Sequence, residues 1–456
     1  MSKAAIPSYM GKHLAGQDIA PGHRFGLYFP VWQNDWSRAE SAKKDALKTV
    51  ATSLPPNSIK LAESLQKRQL AIALQNPQLA YFPAKSTAPF MTGMGNEHPL
   101  ENGFAFLNPY GLPYLPGSSV KGVLRTAAEQ LALGLYGETG GWDMLSVWWL
   151  FGFEAGGSMF QGKPYQIDVL DEEAHRRQQA YQSWLETGDY DQDTLNCFIK
   201  AVVEKKDQKK YLEQPKDFLI DLINKKALRE ALSNQDALCF WDVYPQSKNL
   251  AMEIMTPHHM GYFQGKNGVL NAPHDSEQPN PIVFLTLPPN SLFDFYCTCN
   301  SASLPETLRQ NWQALIQTAF EYAFDWLGFG AKTAVGYGQM QLDNSALATL
   351  EESRKQAEFQ AQQREEAKRL ADLPTVERDM AQLLKENKDP NKKPYLVLLE
   401  VVKSGRWQDN DRQQVLQRIQ QLMLELGDWR PTTLKKDPSK DKEHQRTLEV
   451  QKLLAN

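Results

Sequence analysis

The segment GFGAKTAVGYGQ at 328–339 constrains the fold of this chain most strongly, because four glycines follow directly on an amphipathic helix pattern. Within 308–327, apolar residues recur mainly at intervals of three and four, which predicts a helix with one buried face. These residues are Leu308, Trp312, Leu315, Ile316, Phe320, Ala323, Phe324 and Leu327. Since GYGQMQL at 336–342 suits a strand, we predict a helix, a glycine-rich connection and a strand in direct succession.

The glycine-rich segment contains the string G-A-K-T, which has to be compared with a phosphate-binding P-loop. A P-loop has glycine immediately before its lysine and again five residues earlier, where this chain has Ala331 and Trp326. A P-loop also follows a strand and opens a helix, whereas this segment follows a helix. The sequence therefore excludes a P-loop nucleotide hydrolase at this position.

The same segment suits close contact with a nucleic-acid backbone. Glycines adopt positive φ and leave room for another backbone to approach. Exposed N–H groups, a lysine and a threonine can then meet phosphate or ribose oxygens, and a tyrosine can stack on a base. The candidates are Gly328, Gly330, Lys332, Thr333, Gly336, Tyr337 and Gly338. The alternative is a tight helix-to-strand connection, for which one or two glycines suffice.

A second candidate site is the segment PGSSVKGVLR at 116–125, which opens another amphipathic helix. We predict Ser118 and Ser119 as N-caps, beside the unpaired N–H groups and the positive dipole end of the helix. Lys121 and Arg125 lie four residues apart on a face away from the apolar stripe. The segment is thus suited to phosphate, although on its own a capped helix with a solvated basic face is the better explanation.

Two further groups of residues are better explained by structure than by chemistry. One is a polar cluster that could bind a metal or act as general acid and base, but its spacing matches no metal or catalytic motif. It consists of Asp242, Glu253, Thr256, His258, His259, His274 and Asp275. The other is an aromatic run that we assign to the core rather than to base stacking. It consists of Trp142, Trp148, Trp149, Phe151 and Phe153.

Length and charge limit the remaining possibilities. A chain of 456 residues exceeds one ordinary core, so we expect more than one structural unit. The net charge of 50 − 54 = −4 gives no general attraction to a polyanion, so any nucleic-acid site has to be local. The N-terminal segment has no apolar signal core, and no stretch approaches about 18 uninterrupted apolar residues. We therefore expect a cytoplasmic protein.

The order of the predicted elements indicates the fold class. Strands at 23–32 and 88–106, a helix from about 118 and strands at 237–245, 281–288 and 291–299 precede the 308–327 helix and the last strand. This order predicts an α+β, ferredoxin-like (RRM-like) core at 1–345. The charged helical segment at about 160–236 is predicted to be an insertion, and 346–456 a helical C-terminal extension.

Three segments of the chain resemble the RAMP superfamily of CRISPR-associated RNA-binding proteins. GLPYLPGSSVKGVLR at 111–125 resembles the family's pre-helix signature, with MTGMGNEHPLENG ahead of it as a glycine-containing strand. LFG at 150–152 followed by CFWDVYP is similar to its next landmark. GFGAKTAVGYG is similar to its glycine-rich loop. MTPHHMGYF, the later PHD and PNPIVFLTLPPNSLFDF are most similar to the sixth-subunit family of the type III-B (Cmr) effector complexes.

This resemblance implies a non-catalytic structural subunit that binds guide RNA and caps the backbone filament of an antiviral ribonucleoprotein. The implied partners are guide RNA, target RNA, the backbone subunit and a small helical subunit. The implied RNA contacts are the seven loop residues named above together with Ser118, Ser119, Lys121 and Arg125. The resemblance implies no catalytic residue, metal or cofactor.

Two other functions stay open at this point. One is a metal-independent endoribonuclease that processes guide precursors, with His258, His259 or His274 as general base. The other is a protein–protein adaptor in which the glycine-rich segment serves only the fold.

Overall fold

The structure is a computed structural model that describes residues 2–15, 18–156, 160, 168–188, 190–257, 279, 281–387, 389, 391–433 and 437–455. It divides into two compact units, Met1–Arg354 and Lys355–Asn456. Helices and antiparallel sheets are mixed in the first unit, which confirms the predicted α+β character.

The helices and strands of the first unit are as follows. The strands are β1 (Ala80–Ser86), β2 (Phe106–Leu107), β3 (Leu112–Pro113), β4 (Leu238–Phe240), β5 (Ala251–Met255), β6 (Ile282–Thr286), β7 (Leu292–Cys299) and β8 (Met340–Leu342). The helices are α1 (Pro21–Gly26), α2 (Lys43–Val50), α3 (Pro56–Gln75), α4 (Gly117–Ala132), α5 (Met144–Phe151), α6 (Asp168–Thr187), α7 (Gln192–Val202), α8 (Lys205–Glu213), α9 (Pro215–Asn224), α10 (Lys226–Ala231) and α11 (Glu306–Tyr322).

Helix α12 (Asn344–Asp372) runs from the first unit into the second. The second unit continues with α13 (Thr375–Glu386), α14 (Pro394–Lys403), α15 (Asp409–Glu425) and α16 (Lys442–Ala455). Its apolar core includes Tyr395, Leu398 and Ile419, all fully buried. Short 3-10 turns lie at Ser8–Ala15, Glu40–Ala42, Ser301–Ser303, Thr333–Val335 and Pro438–Lys440, and a π-helical turn at Ala323–Leu327.

The main sheet of the described chain has the strand order β4-β7-β1-β8, and each neighbouring pair is antiparallel. One face packs on α11, since the ring of Phe320 lies 4.2 Å from that of Phe82 on β1 and 5.4 Å from that of Phe295 on β7. Helix α4 buries Val120 and Leu124 in the same core, as the predicted spacing requires. Strands β5 and β6 form a separate antiparallel pair.

Two predicted strands are wrong. Residues 23–26 lie in α1, because Pro21 in the first helical turn favours helical backbone, and the residues after them form a turn and a bend, with only isolated bridges at Trp32. Within 88–106 the backbone makes an isolated bridge at Phe90 and a turn at Gly93, and regular pairing begins only at Phe106. Glycine at positive φ breaks the extended run.

The central strand β1 lies in a segment for which the sequence predicted no strand. Pro83 lies inside it, and proline lacks the N–H that a central strand donates. At Pro83, however, β1 is paired only with β7, because its ladder with β8 begins at Ala84. The proline carbonyl accepts a hydrogen bond from the Asp343 N–H, 2.8 Å away.

Candidate nucleic-acid interface

The glycine-rich loop leaves the π-helical turn after α11 and is held by backbone hydrogen bonds. At its neck, the Phe329 N–H donates to the Gly338 carbonyl at 2.9 Å. The Ala331 N–H donates to Met91 and the Gly338 N–H to Pro89, both at 2.9 Å. The buried Phe329 ring fills the core beneath the loop. The loop therefore has a fixed conformation on the segment that follows β1.

Most of the loop glycines are required by this packing. A Cβ on Gly330 would collide with the Met91 carbonyl, and a Cβ on Gly338 with the Phe329 carbonyl. A Cβ on Gly328 would lie 3.1 Å from the Gly338 carbonyl oxygen. All four glycines have positive φ, but at Gly336 (φ +92°) an added Cβ would meet no atom of the described residues within 4 Å. Close chain packing thus accounts for three of the glycines, and in the described part of the chain nothing packs against Gly336.

Lys332 is the cation of this loop, and its backbone is left-handed, with φ of 59°. Its Nζ lies 3.4 Å from Met255 Sδ on β5, and among the described residues it makes no ion pair. The positive charge is therefore free of a carboxylate partner in that part of the chain. Thr333, half-buried, begins the 3-10 turn that follows.

The ring of Tyr337 is less exposed than a ring that stacks on an RNA base has to be. Its ring meets the buried Phe284 ring of β6 edge to face, with centroids 5.8 Å apart. Burial, and secondarily the Glu253 carboxylate, raises the pKa of Tyr337. The ring is half-buried, so one side of it packs against the protein.

The N-terminus of α4 departs from the predicted capping. The helix begins at Gly117 after Pro116, and neither Ser118 nor Ser119 is the N-cap residue. Both lie exposed in the first turn. The cap comes from a residue distant in sequence, because Asp242 Oδ1 accepts the Gly117 N–H at 2.8 Å. The prediction of serine caps is therefore wrong, since the helix begins early enough to put Pro116, whose side chain has no acceptor, at the N-cap position.

The two basic residues of α4 are both paired with carboxylates. Lys121 forms an ion pair with Asp236, and each side chain is about a third exposed. Arg125 lies 3.0 Å from Glu129 and 3.2 Å from Glu154. The predicted solvated basic face of α4 is thus compensated locally.

Register places the two candidate segments at different levels of the sheet. β1 runs toward Ser86, which pairs with Met340 at the start of β8, directly after the loop. β4 runs in the same direction but ends at Phe240, close to the start of α4, and Phe240 pairs with Cys297, the partner of Ala80 at the start of β1. Since β4 and β8 are the two edge strands, the start of α4 and the loop lie on opposite edges, level with opposite ends of β1.

The other candidates divide between the core and residues outside the described part. Trp142, Trp148, Trp149 and Phe151 are buried, which confirms their assignment to the core. His258, His259, His274 and Asp275 lie outside the described residues. Among the residues that are described, no group of three His, Cys, Asp or Glu side chains is arranged to hold a metal. No described helix has the length and apolar character needed to cross a membrane.

One surface residue beside the loop escaped the sequence reasoning. Trp326, in the π-helical turn, is 76% exposed. A signal was present in the sequence, because Trp326 lies outside the apolar stripe at 308–327 and is therefore not directed into the core.

Comparison with known proteins identifies the family. A model of the RAMP superfamily matches residues 84–341, more than half of the chain, and this chain belongs to the RAMP superfamily. Among individual proteins, it is similar to the CRISPR system Cmr subunit Cmr6 of Pyrococcus furiosus, with 24% identity over 274 residues. That match covers 56% of this chain and 66% of the relative, slightly less than two thirds of its length. The predicted resemblance is confirmed.

This chain also matches parts of solved structures, at low sequence identity. A chain of the type III-B Cmr-beta complex bound to cognate target RNA matches with a TM-score of 0.35 and 15% identity, over 69% of this chain and 78% of that one. The crystal structure of Cmr6 from Pyrococcus furiosus matches with a TM-score of 0.25 and 21% identity, over 58% of this chain and 98% of that one. Similarity at this level adds nothing to the family assignment.

Proposed function

We propose that this chain is a non-catalytic, guide-RNA-binding structural subunit that caps the backbone filament of a type III-B CRISPR ribonucleoprotein. One observation carries the proposal. Within the segment matched by the RAMP superfamily, a loop is fixed by backbone hydrogen bonds and presents Gly336 and Lys332; among the described residues nothing packs on a Cβ at Gly336, and Lys332 has no carboxylate partner. Similarity to a Cmr subunit supplies the assembly to which we assign it.

We also propose that the core is ferredoxin-like. The elements β1, α4, β4, β7, α11 and β8 occur in the order strand, helix, strand, strand, helix, strand. The antiparallel order β8-β1-β7-β4 puts the first and third of these strands in the centre. The segment α6–α10 enters between α4 and β4 and is then an insertion into this core.

The chemistry of the loop suits RNA backbone rather than base edges. Lys332 offers a cationic donor and Thr333 a hydroxyl, and Gly336 leaves space for another backbone to approach. Such contacts carry little sequence information, as a subunit that holds guides of varied sequence requires. Because few cations contribute, the isolated chain should bind weakly, and neighbouring subunits should raise the effective affinity.

The α4 residues take a smaller part in this proposal. Ser118 and Ser119 are exposed and available as donors. Lys121 and Arg125 can contact RNA only by giving up part of their ion pairs with Asp236, Glu129 and Glu154. We therefore rank Lys332 above both as a phosphate contact.

The test is the salt dependence of single-stranded RNA binding by wild type and Lys332→Ala. Loss of one contact to a charged group should weaken binding about tenfold at low salt. It should also reduce the slope of log affinity against log salt by about 0.7, the value for one phosphate of a single strand. Lys216→Ala, at an exposed helical lysine of the same unit, is the matched control and should change neither.

Two results would contradict the proposal. Equal affinity and slope for wild type and Lys332→Ala would remove the loop from the RNA interface. Specific cleavage of precursor RNA by wild type, lost on substitution of His258, His259 or His274, would identify an endoribonuclease instead.

A further inference from the structure

The end of helix α11 carries an exposed apolar side chain that does not pack in the core. Trp326 is 76% exposed, while Phe324, two residues earlier, is buried. Val335, in the 3-10 turn of the glycine-rich loop, is 67% exposed. Large apolar side chains this exposed are costly in water unless another surface covers them.

The two side chains flank the neck of the glycine-rich loop along the chain. The loop is closed at its neck by the Phe329–Gly338 hydrogen bond. Its 3-10 turn folds back on that neck, because Thr333 Cγ2 lies 3.3 Å from the position that a Cβ on Gly328 would occupy. Trp326 is two residues before Gly328, and Val335 is two residues after Thr333.

The charges beside Trp326 are negative. Glu321 and Asp325 are exposed in the last turns of the helical segment, which contain no basic residue. Within the described part of the chain neither carboxylate is in an ion pair, and Glu321 accepts a hydrogen bond from Gln317. Anions at a helix C-terminus are opposed by the helix dipole. The charges of these two carboxylates therefore do not stabilise their own helix through its dipole.

This charge pattern selects between the possible occupants. Phosphate groups of RNA would be repelled by the two carboxylates and by the negative end of the helix. A protein surface with an apolar pocket and a rim of lysine or arginine would bury the indole and form ion pairs with the two carboxylates. Tryptophan is also among the residue types that most often anchor protein interfaces.

We infer that Glu321, Asp325 and Trp326 form a docking surface, here called the Trp326 surface, for a protein subunit of the assembly. The inference rests on the proposed function, because the partner is a neighbouring subunit of the same ribonucleoprotein. Trp326 inserts into an apolar pocket of that subunit, and the two carboxylates meet basic residues at its rim. The loop and the helix end before it thus serve two contacts: RNA through Lys332, whose amine lies at Met255, and protein through the Trp326 surface.

The test reconstitutes the complex from this chain, guide RNA and the other protein subunits encoded with it. Incorporation is measured by titration for wild type, Trp326→Ala and the double reversal Glu321→Lys/Asp325→Lys. Both variants should incorporate at least about tenfold more weakly, as expected for an interface anchor. Tyr9→Ala is the matched control, since Tyr9 is 73% exposed elsewhere on the first unit, and it should incorporate like wild type. RNA affinity of the isolated chain should be unchanged in Trp326→Ala.

The outcomes separate this inference from the proposed function. If wild type incorporates and both variants do so equally well, the Trp326 surface is not an interface, while the proposed function survives. If Trp326→Ala weakens RNA binding by the isolated chain and leaves protein association intact, the indole stacks on a base and the inference is overturned. If wild type itself neither binds RNA nor incorporates, the proposed function fails and the inference fails with it.

Discussion

Two glycines of the same loop should respond very differently to the same substitution. Gly336 and Gly338 both have positive φ, +92° and +71°. Alanine in the left-handed region costs about 1–2 kcal/mol at either position. At Gly336 no atom of the described residues lies within 4 Å of the new methyl group, so we expect this strain to be the whole effect.

At Gly338 the methyl group would also collide with the Phe329 carbonyl. Relief requires movement of the loop neck, which weakens the Phe329–Gly338 hydrogen bond, worth about 1 kcal/mol. It also displaces the fully buried Phe329 ring, which touches the rings of Phe295, Phe324 and Phe320; forcing extra volume into a packed core costs about 1–3 kcal/mol. Together, Gly338→Ala should lose roughly 3–6 kcal/mol.

Urea unfolding of both variants, followed by tryptophan fluorescence, measures these losses. Tryptophans packed in the first unit, such as Trp148, report on its core. The loss in Gly338→Ala should be at least about twice the loss in Gly336→Ala. Equal losses of unfolding free energy would contradict the described packing of the loop neck. They would show that glycine is needed at position 338 only because of its positive φ.

Two further predictions concern polar groups that hold the sheet and α4. Asp242→Ala should lose about 1 kcal/mol in a denaturant titration, because it leaves the Gly117 N–H without its acceptor, and Asp242→Asn should lose less. The capping role would be refuted if Asp242→Asn lost as much stability as Asp242→Ala, or if Asp242→Ala lost no stability. Asp294 is held by Tyr81 and Gln246, yet burial raises the pKa of its carboxyl group, so its contribution to stability is lost as pH rises through that raised pKa. Asp294→Asn should therefore gain stability relative to wild type as pH rises above about 4, and a difference that does not change with pH would contradict the shift.

Local periodicity predicted the elements that bury one continuous face. Helix α4 follows from the spacing of Val120, Leu124 and Leu131, and α11 from the longer stripe before the loop. Strand β7 was visible because Phe293, Phe295 and Cys297 alternate with more polar neighbours, and all three are buried. These patterns depend only on residues close in sequence.

Features that depend on distant partners were not predictable. Asp242 caps α4 across 125 positions, and Lys121 pairs with Asp236 across 115. The packing role of Gly330 depends on Met91, which no local pattern connects with the loop. Strand β1 was missed because it contains Pro83, and proline disfavours a central strand. Here the ladder with β8 begins only after Pro83, so the proline is tolerated.

The central claim is that the glycine-rich loop contacts guide RNA. The most direct measurement is photo-crosslinking of the reconstituted complex with guide RNA that carries 4-thiouridine, followed by mass spectrometry of the crosslinked peptides of this chain. We predict a crosslink in the peptide that contains Lys332 to Tyr337, reduced in Lys332→Ala and retained in Lys216→Ala. Crosslinks confined to the second unit, Lys355–Asn456, or none to this chain in an assembled complex, would contradict the claim.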